Sequence, residues 1–302
     1  MANFGILCSG SSGLVASAFK ELAQAQKIPF YGFDLHGEKE PANILDLKDL
    51  TQKVKAKSQL IIEEGRTPVF FHFAAATFTG NNLKPEQIKL THDLNITGTK
   101  NVLAACAAAQ IPMIHISTDF VFAAGRKRTP YLPSDELAPA ETPYSLSKAE
   151  AERVVLELKS DQHVNIIRLA FPYGNMHHPK MGLLRKMLTW MDQKEAVDLY
   201  TNQHICPTPI SYFVQACLKT AQLIANEDIL SGIILHLVGH ATTPYEFGKL
   251  AKEIFQKSAH LNPVEIKSGP KNLVLDATDT DKYLDFKAPS HEEEMRKLSK
   301  NT

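Results

Sequence analysis

Phe4-Gly-Ile-Leu-Cys-Ser-Gly-Ser-Ser-Gly-Leu-Val-Ala16 is the stretch that decides the fold. Its apolar run, 4–8, gives way to Gly10 and Gly13, and a helical pattern then runs over 14–26. Glycine serves where a strand turns sharply into a helix and the backbone must come close to a pyrophosphate. The helix start offers that anion unpaired N–H groups and the positive end of its dipole. The spacing is GxxGxxA, with Ala16 small enough for close packing of helix on strand. Gly10, Ser11, Ser12, Gly13 and Leu14 are thus the candidate cradle of a dinucleotide, although a purely structural β–α turn uses the same glycines.

A second apolar run, 28–33, stops at Asp34, 24 residues after Gly10. A carboxylate there can bond both ribose hydroxyls of an adenosine half, and it repels a 2′-phosphate. NAD(H) is therefore favoured, with NADP(H) kept open by the nearby Lys39. Asp34 equally suits a solvated turn, Asp34-Leu35-His36-Gly37. Asp46, followed by Leu47, either caps the next helix or reaches the adenine amino group.

Strand-like and helical stretches alternate through the first half, the pattern of a parallel sheet covered by helices. Strands are expected at 4–8, 28–33, 43–45, 69–73, 111–117 and 164–169, with helices at 14–26, 50–64, 85–109 and 144–159. Residues 123–142, with three prolines, read as loop. Beyond Tyr173 the alternation weakens: helices are expected at 182–193, 210–225, 244–257 and 291–300, and a strand at 233–238. The fold class is α/β, a Rossmann-type doubly wound parallel sheet with a smaller carboxy-terminal substrate lobe. Residues 1–173 form the nucleotide-binding domain, 174–302 mainly the lobe, and elements near 209–240 return to the sheet.

Pro143-Tyr144-Ser145-Leu146-Ser147-Lys148 follows the loop, and its spacing of four places Tyr144 and Lys148 on one helix face. A phenol, with a reference pKa of about 10, is a poor acid or base at neutral pH. A neighbouring ammonium would lower that value towards the working range, as would an oxidised nicotinamide. Ahead of them, His115-Ile-Ser-Thr-Asp-Phe-Val-Phe122 puts polar side chains at the carboxyl end of a strand, where open α/β sheets bind ligands. Thr118 can donate a hydrogen bond to a substrate carbonyl as negative charge grows on its oxygen. His72 and His115, in apolar strands, read as core-edge histidines. Met176-His177-His178 has no matching carboxylate or cysteine set, so no metal site is expected.

Across nearly its whole length the chain resembles the extended short-chain dehydrogenase/reductases, and within them the RmlD-like (dTDP-4-dehydrorhamnose reductase) family. The resemblance rests on Gly10-Ser-Ser-Gly13, His72-Phe-Ala-Ala-Ala-Thr77, Asn95-Ile-Thr-Gly-Thr-Lys-Asn101, Ser117-Thr-Asp-Phe-Val-Phe122, Tyr144-Ser-Leu-Ser-Lys148, Arg168-Leu-Ala-Phe-Pro-Tyr-Gly174 and Asn202-Gln-His-Ile-Cys-Pro-Thr208. It implies hydride transfer from a reduced nicotinamide to a keto group on a nucleotide-linked sugar. Thr118, Tyr144 and Lys148 are then the catalytic set, with Tyr144 and Lys148 also touching the cofactor. Ala74, Ala75 and Ala76 keep the cofactor's path clear, and Asn95 supports a kink or water beside the lysine. By position, Thr77, Asp119, Phe120, Phe171 and Gln203 face the substrate.

Three departures bear on the substrate. Phe120 stands where the family often has tyrosine, Asn202-Gln203 where it has Asp-Gln, and Gly269-Pro270-Lys271 where Arg-Pro is common. Two rival functions remain open: an NAD-dependent sugar-nucleotide epimerase or dehydratase, and a nucleotide-binding regulatory protein without turnover, a route the family includes. Dehydratases carry Thr-Asp-Glu, whereas Phe120 follows Asp119 here.

Thirty-three basic and 33 acidic residues give no excess that would draw nucleic acid or an anionic membrane. Four scattered cysteines, Cys8, Cys106, Cys206 and Cys217, argue against a disulfide framework. The opening residues lack a basic region and a span of membrane length, so a cytoplasmic protein with a small-molecule partner is expected. A homodimer through a helix pair is compatible with the sequence, which carries nothing that demands it.

Overall fold

The computed structural model describes residues 2–35, 41–80, 82–125, 127–157, 163–227 and 231–300. Its strands, in chain order, are β1 (Phe4–Ser9), β2 (Phe30–Phe33), β3 (Thr67–His72), β4 (Met113–Thr118), β5 (Val164–Leu169), β6 (Pro172–Tyr173), β7 (Ala196–Tyr200), β8 (Thr208–Pro209), β9 (Ile234–His236) and β10 (His260–Val264). The helices are α1 (Leu14–Ala25), α2 (Leu47–Glu63), α3 (Pro85–His92), α4 (Gly98–Ala109), α5 (Pro143–Glu157), α6 (Leu183–Gln193), α7 (Ile210–Ala225), α8 (Pro244–Ile254), α9 (Thr278–Leu284) and α10 (His291–Ser299).

The main sheet runs β2-β1-β3-β4-β5-β9, parallel throughout. From β1 the chain goes outward to β2 and then back to β3 on the other side. The carboxyl ends of β1 and β3 therefore flank the switch point where such sheets hold ligands. Strands buried on both faces read as apolar runs, and α1 with α7 covers one face around Phe19, Phe71, Ile114 and Phe213. On the other face α2, α4 and α5 pack around Leu50, Phe70, Val102 and Val155. A separate core, with Tyr173, Leu184, Met187, Leu199, Phe247 and Met295, joins α6, β7, α8 and α10.

The expected strand at 43–45 is a turn. Asn43 accepts from Leu45 N at 3.0 Å through its side chain and from Asp46 N at 3.0 Å through its carbonyl. Such local bonds compete with strand pairing. The expected helix 85–109 is broken by a π-turn, Asp93–Thr97, with Asn95 buried inside it. Without a strand at 43–45, the expected fifth strand is β4 and the sixth is β5.

Beyond β5 lie elements not expected from the sequence: β6 paired with β8, β7 with β10, and helix α9. Pro263 inside β10 argues against a strand when read in sequence. His36, Gly37 and Lys39 lie outside the described residues, as do the last two residues of the expected helix 144–159. No described helix is long and apolar enough to cross a membrane.

One buried ion pair ties helix α5 to the sheet. Arg168, on β5, donates to Glu152 through Nε at 3.0 Å and Nη2 at 2.7 Å, with both side chains at most 1% exposed. Its Nη1 reaches the Pro133 carbonyl at 3.2 Å and His236 Nε2 at 3.1 Å, and the guanidinium lies 4.9 Å from the Phe122 ring centre. Removing one partner from a buried pair leaves an uncompensated charge, whereas removing both does not. Glu152→Gln is expected to cost about 3–5 kcal/mol in urea unfolding, and the double variant Glu152→Leu/Arg168→Met distinctly less. A Glu152→Gln protein within about 1 kcal/mol of the parent would refute the keystone role.

Candidate active site

Gly10 follows β1 with φ +68°, and a Cβ there would lie 2.7 Å from Ala74 N and Cα. No side chain fits between the first turn and the loop after β3. Gly13 caps α1 without a capping side chain, so the first-turn N–H groups are left for an anion. Asp34 Oδ2 accepts from Ser12 N at 3.1 Å and Ser12 Oγ at 2.7 Å, bringing the end of β2 to the turn. This cradle of glycine, open helix terminus and carboxylate fits a dinucleotide. Asp46 is the N-cap of α2, accepting from Asp49 N at 3.0 Å, and Leu47 beside it is exposed.

The polar groups at the end of β4 converge with the start of α5. Thr118, Asp119, Tyr144 and Lys148 are all less than a tenth exposed. Thr118 Oγ1 donates to Asp119 Oδ1 at 2.9 Å and accepts from Phe120 N at 3.3 Å. The second oxygen of Asp119 and the Ser117 hydroxyl are buried without a partner among the described residues. Burial lifts the Asp119 carboxyl to about 7, with the Thr118 bond acting the other way. The rings of Phe120 and Tyr144 lie 5.7 Å apart, and those of Phe120 and Phe171 6.1 Å apart. Phe171, with φ +42°, closes this aromatic wall.

Lys148 turns inward. Its Nζ donates to the Ile116 carbonyl at 2.7 Å and meets His115 Nε2 at 3.1 Å. Burial lowers the ammonium to about 8, opposed by the Glu152 charge. The expected lowering of the phenol does not appear. Burial raises Tyr144 to about 12, Thr118 pulls it down, and the Asp119 charge adds to the rise. The desolvation of the phenolate outweighs any help from an ammonium bound elsewhere.

Asn95 reaches the site only from behind. Its Oδ1 accepts from Ala76 N at 2.8 Å, and its Nδ2 donates to Ala76 O at 3.0 Å and Ser147 Oγ at 2.9 Å. Ala74 and Ala75 are partly exposed beside the first turn, and Thr77 is exposed. Gln203 donates to Pro270 O at 3.0 Å, and Asn202 accepts from Ile266 N at 2.8 Å. Among the described residues no three His, Cys, Asp or Glu side chains are placed to hold a metal ion.

The sequence reading missed the strap formed after β6. Asn175 donates to Leu14 O at 3.2 Å, and Lys180 Nζ donates to Thr77 Oγ1 at 2.7 Å. His178 Nδ1 accepts from Lys180 N at 3.0 Å, so its Nε2–H donates to Ser12 O at 2.9 Å. These contacts bridge more than a hundred residues, and no local motif signals them.

The buried histidines set an acid limit. Burial lowers His72 and His236 to about 3, and His115 well below 6.5. Each takes its proton more readily when unfolded, so stability is present above pH 6.5 and is lost as pH falls. Asp119, raised to about 7, acts oppositely between about 7 and 3.8. Three groups against one leave about two protons taken up on unfolding near pH 5, a slope of about 2.7 kcal/mol per pH unit. The urea midpoint should fall steeply between pH 6.5 and 5, and a flat profile there would contradict the burial of these imidazoles.

The chain matches the family described as RmlD substrate binding domain over residues 4–302. It is 30% identical over 174 residues to the dTDP-4-keto-6-deoxy-D-glucose reductase of Streptomyces niveus, covering 58% of each chain. It is 32% identical over 145 residues to the dTDP-4-dehydrorhamnose reductase of Mycolicibacterium smegmatis, covering 48% of this chain and 42% of that one. The alignments thus span about half the length of these two relatives. The crystal structure of dTDP-4-dehydrorhamnose reductase from Bacillus anthracis in complex with NADP has the same fold, with a TM-score of 0.79 at 20% identity over 99% of both chains. Because the family match runs from the nucleotide turn through the whole lobe, the chain belongs to the RmlD substrate binding domain family.

Proposed function

We propose that this chain is a nicotinamide-dependent reductase acting on a keto group of a nucleotide-linked sugar. The observation that carries the proposal is the buried Tyr144, close to Thr118 and Asp119, at the carboxyl edge of the sheet behind the Gly10–Gly13 turn. A phenol held at about 12 keeps its proton across the neutral range, which suits a proton donor. The reductase names carried by relatives in Streptomyces and Mycolicibacterium support the same reaction class.

A bound reduced nicotinamide would supply the hydride for the carbonyl carbon; everything else falls to the side chains. Thr118 exchanges its bond to Asp119 for one to the carbonyl oxygen, orienting it as charge develops. Tyr144 gives its phenolic proton to that oxygen. Lys148, fixed by the β4 backbone, holds the cofactor's ribose and stands ready to resupply the phenolate. Phe120 and Phe171 shield the reacting carbonyl from water. Phe120 also withholds the second carboxyl that elimination of water needs, so dehydration is disfavoured.

Gly10, Ser11, Ser12, Gly13 and Leu14 hold the cofactor's pyrophosphate, beside Ala74 and Ala75. Asp34 takes the adenosine ribose, and its charge favours NADH over NADPH. Residues 174–302 supply most of the substrate contacts.

NADH oxidation with a panel of keto-sugar nucleotides tests the reading. Tyr144→Phe should lower kcat by about 10²–10⁴-fold with little change in Tm; unchanged turnover removes Tyr144 as the donor. Asp34→Asn should narrow the preference for NADH over NADPH by about tenfold. A parent enzyme that prefers NADPH would overturn the role given to Asp34.

A further inference from the structure

His72 and His115 are partners in the parallel register of β3 and β4, so their side chains lie together under α4 and α5, with ring centres 5.4 Å apart. They are not equivalent. Thr99 donates its hydroxyl hydrogen to Asn95 O at 2.7 Å, so it accepts from His72 Nε2–H at 3.0 Å. His72 Nδ1 accepts from the Ser9 hydroxyl at 2.6 Å. Both nitrogens of His72 are therefore used within the framework.

His115 has one nitrogen used and one orphaned. An ammonium only donates, so His115 Nε2 is the acceptor for Lys148 and Nδ1 carries the hydrogen. That Nδ1–H is fully buried with no partner among the described residues. An unmatched buried donor costs stability that an apolar side chain would not. Among the described residues, the one side-chain hydrogen bond that His115 makes is to Lys148.

Lys148 in turn has no ion pair among the described residues. The nearby Glu152 is committed to Arg168. His72 from β3 and Tyr144 from α5 are neutral at pH 7, and Asp119, in the turn after β4, bonds Thr118. Two of the three ammonium hydrogens go to neutral acceptors, the Ile116 carbonyl and His115, leaving one for the cleft.

We infer that His115 is a positioning residue, whose Nε2 anchors the Lys148 ammonium from inside the protein so that its remaining hydrogen is presented to the cofactor's ribose. The inference rests on the reading of the site as a nicotinamide site. Burial alone disfavours the ammonium, and the imidazole acceptor works against that. Without His115 the lysine deprotonates at lower pH and loses its aim.

NADH binding followed by fluorescence from pH 6 to 10 tests this without any sugar substrate. In the parent protein affinity should fall as pH rises through about 8, where Lys148 loses its charge. For His115→Leu the fall should come about one pH unit lower, with roughly fivefold weaker binding near pH 8 and about tenfold near pH 9. His115→Gln, whose amide oxygen can reach Nζ, should restore the parent profile. His115→Asn, polar but too short, should behave like leucine, and it preserves the contrast if His115→Leu does not fold. Equal midpoints in parent and His115→Leu overturn the inference, as does a glutamine variant no better than asparagine. A parent protein that binds neither NADH nor NADPH overturns the nicotinamide reading itself, and this inference with it.

Discussion

The Arg168–Glu152 pair is the constraint on which the rest depends. Helix α5 buries Ser145, Ser147, Lys148 and Glu152 alongside Ala149, Ala151 and Val155, so no simple apolar stripe sets its rotation against the sheet. Polar partners do so instead: Glu152 meets Arg168, Lys148 meets Ile116 and His115, and Ser147 meets Asn95. A slip of one residue along the helix would orphan all of them together. Because an unpaired polar group is costly in a low-dielectric interior, the network specifies one register sharply. Tyr144 and Lys148 ride on that register.

Arg168 also gathers the distal chain. His236 Nδ1–H donates to Asp276 O at 2.9 Å, so its Nε2 is free to accept from Arg168. The guanidinium thus joins β5, α5, β9 and the segment leading into α9 through a single buried charge. Elsewhere, Asn175, His178 and Lys180 tie the chain after β6 to the first turn and the β3 loop. The chain after β6 is therefore fastened to the loops at the carboxyl ends of β1 and β3. A ligand lying along the Gly10–Gly13 turn would meet residues from both halves of the chain.

Much of this was legible in the sequence where a local rule governs. The turn at Gly10 is dictated by backbone approach to Ala74, and the Tyr144–Lys148 spacing by helical geometry. The main strands announce themselves as apolar runs because both faces are covered. Residues 43–45 misled for a local reason too, since their apolar pair is held in a turn by Asn43. The lobe was opaque for another reason: β7 and β10 pair across more than sixty residues, and β6 and β8 have two residues each. Helical spacing sets Lys148 and Tyr144 on one helix face, but the lysine's inward bonds depend on a carbonyl and a histidine more than thirty residues away. Tyr144 was likewise read as a softened acid, although burial of its ring decides its proton affinity.

That last reversal changes how the chemistry fits together. With Tyr144 at about 12 and Lys148 at about 8, proton affinities descend from a sugar alkoxide to the phenolate to the amine. In the proposed reduction each transfer is then downhill: phenol to alkoxide, then ammonium to phenolate. The opposite direction would require a base to take a proton from a phenol that burial makes reluctant to lose it. The same desolvation that frustrates an activated tyrosine base therefore favours a tyrosine acid. His115, bonded to the lysine at 3.1 Å, would in that scheme support the ammonium that the last transfer consumes.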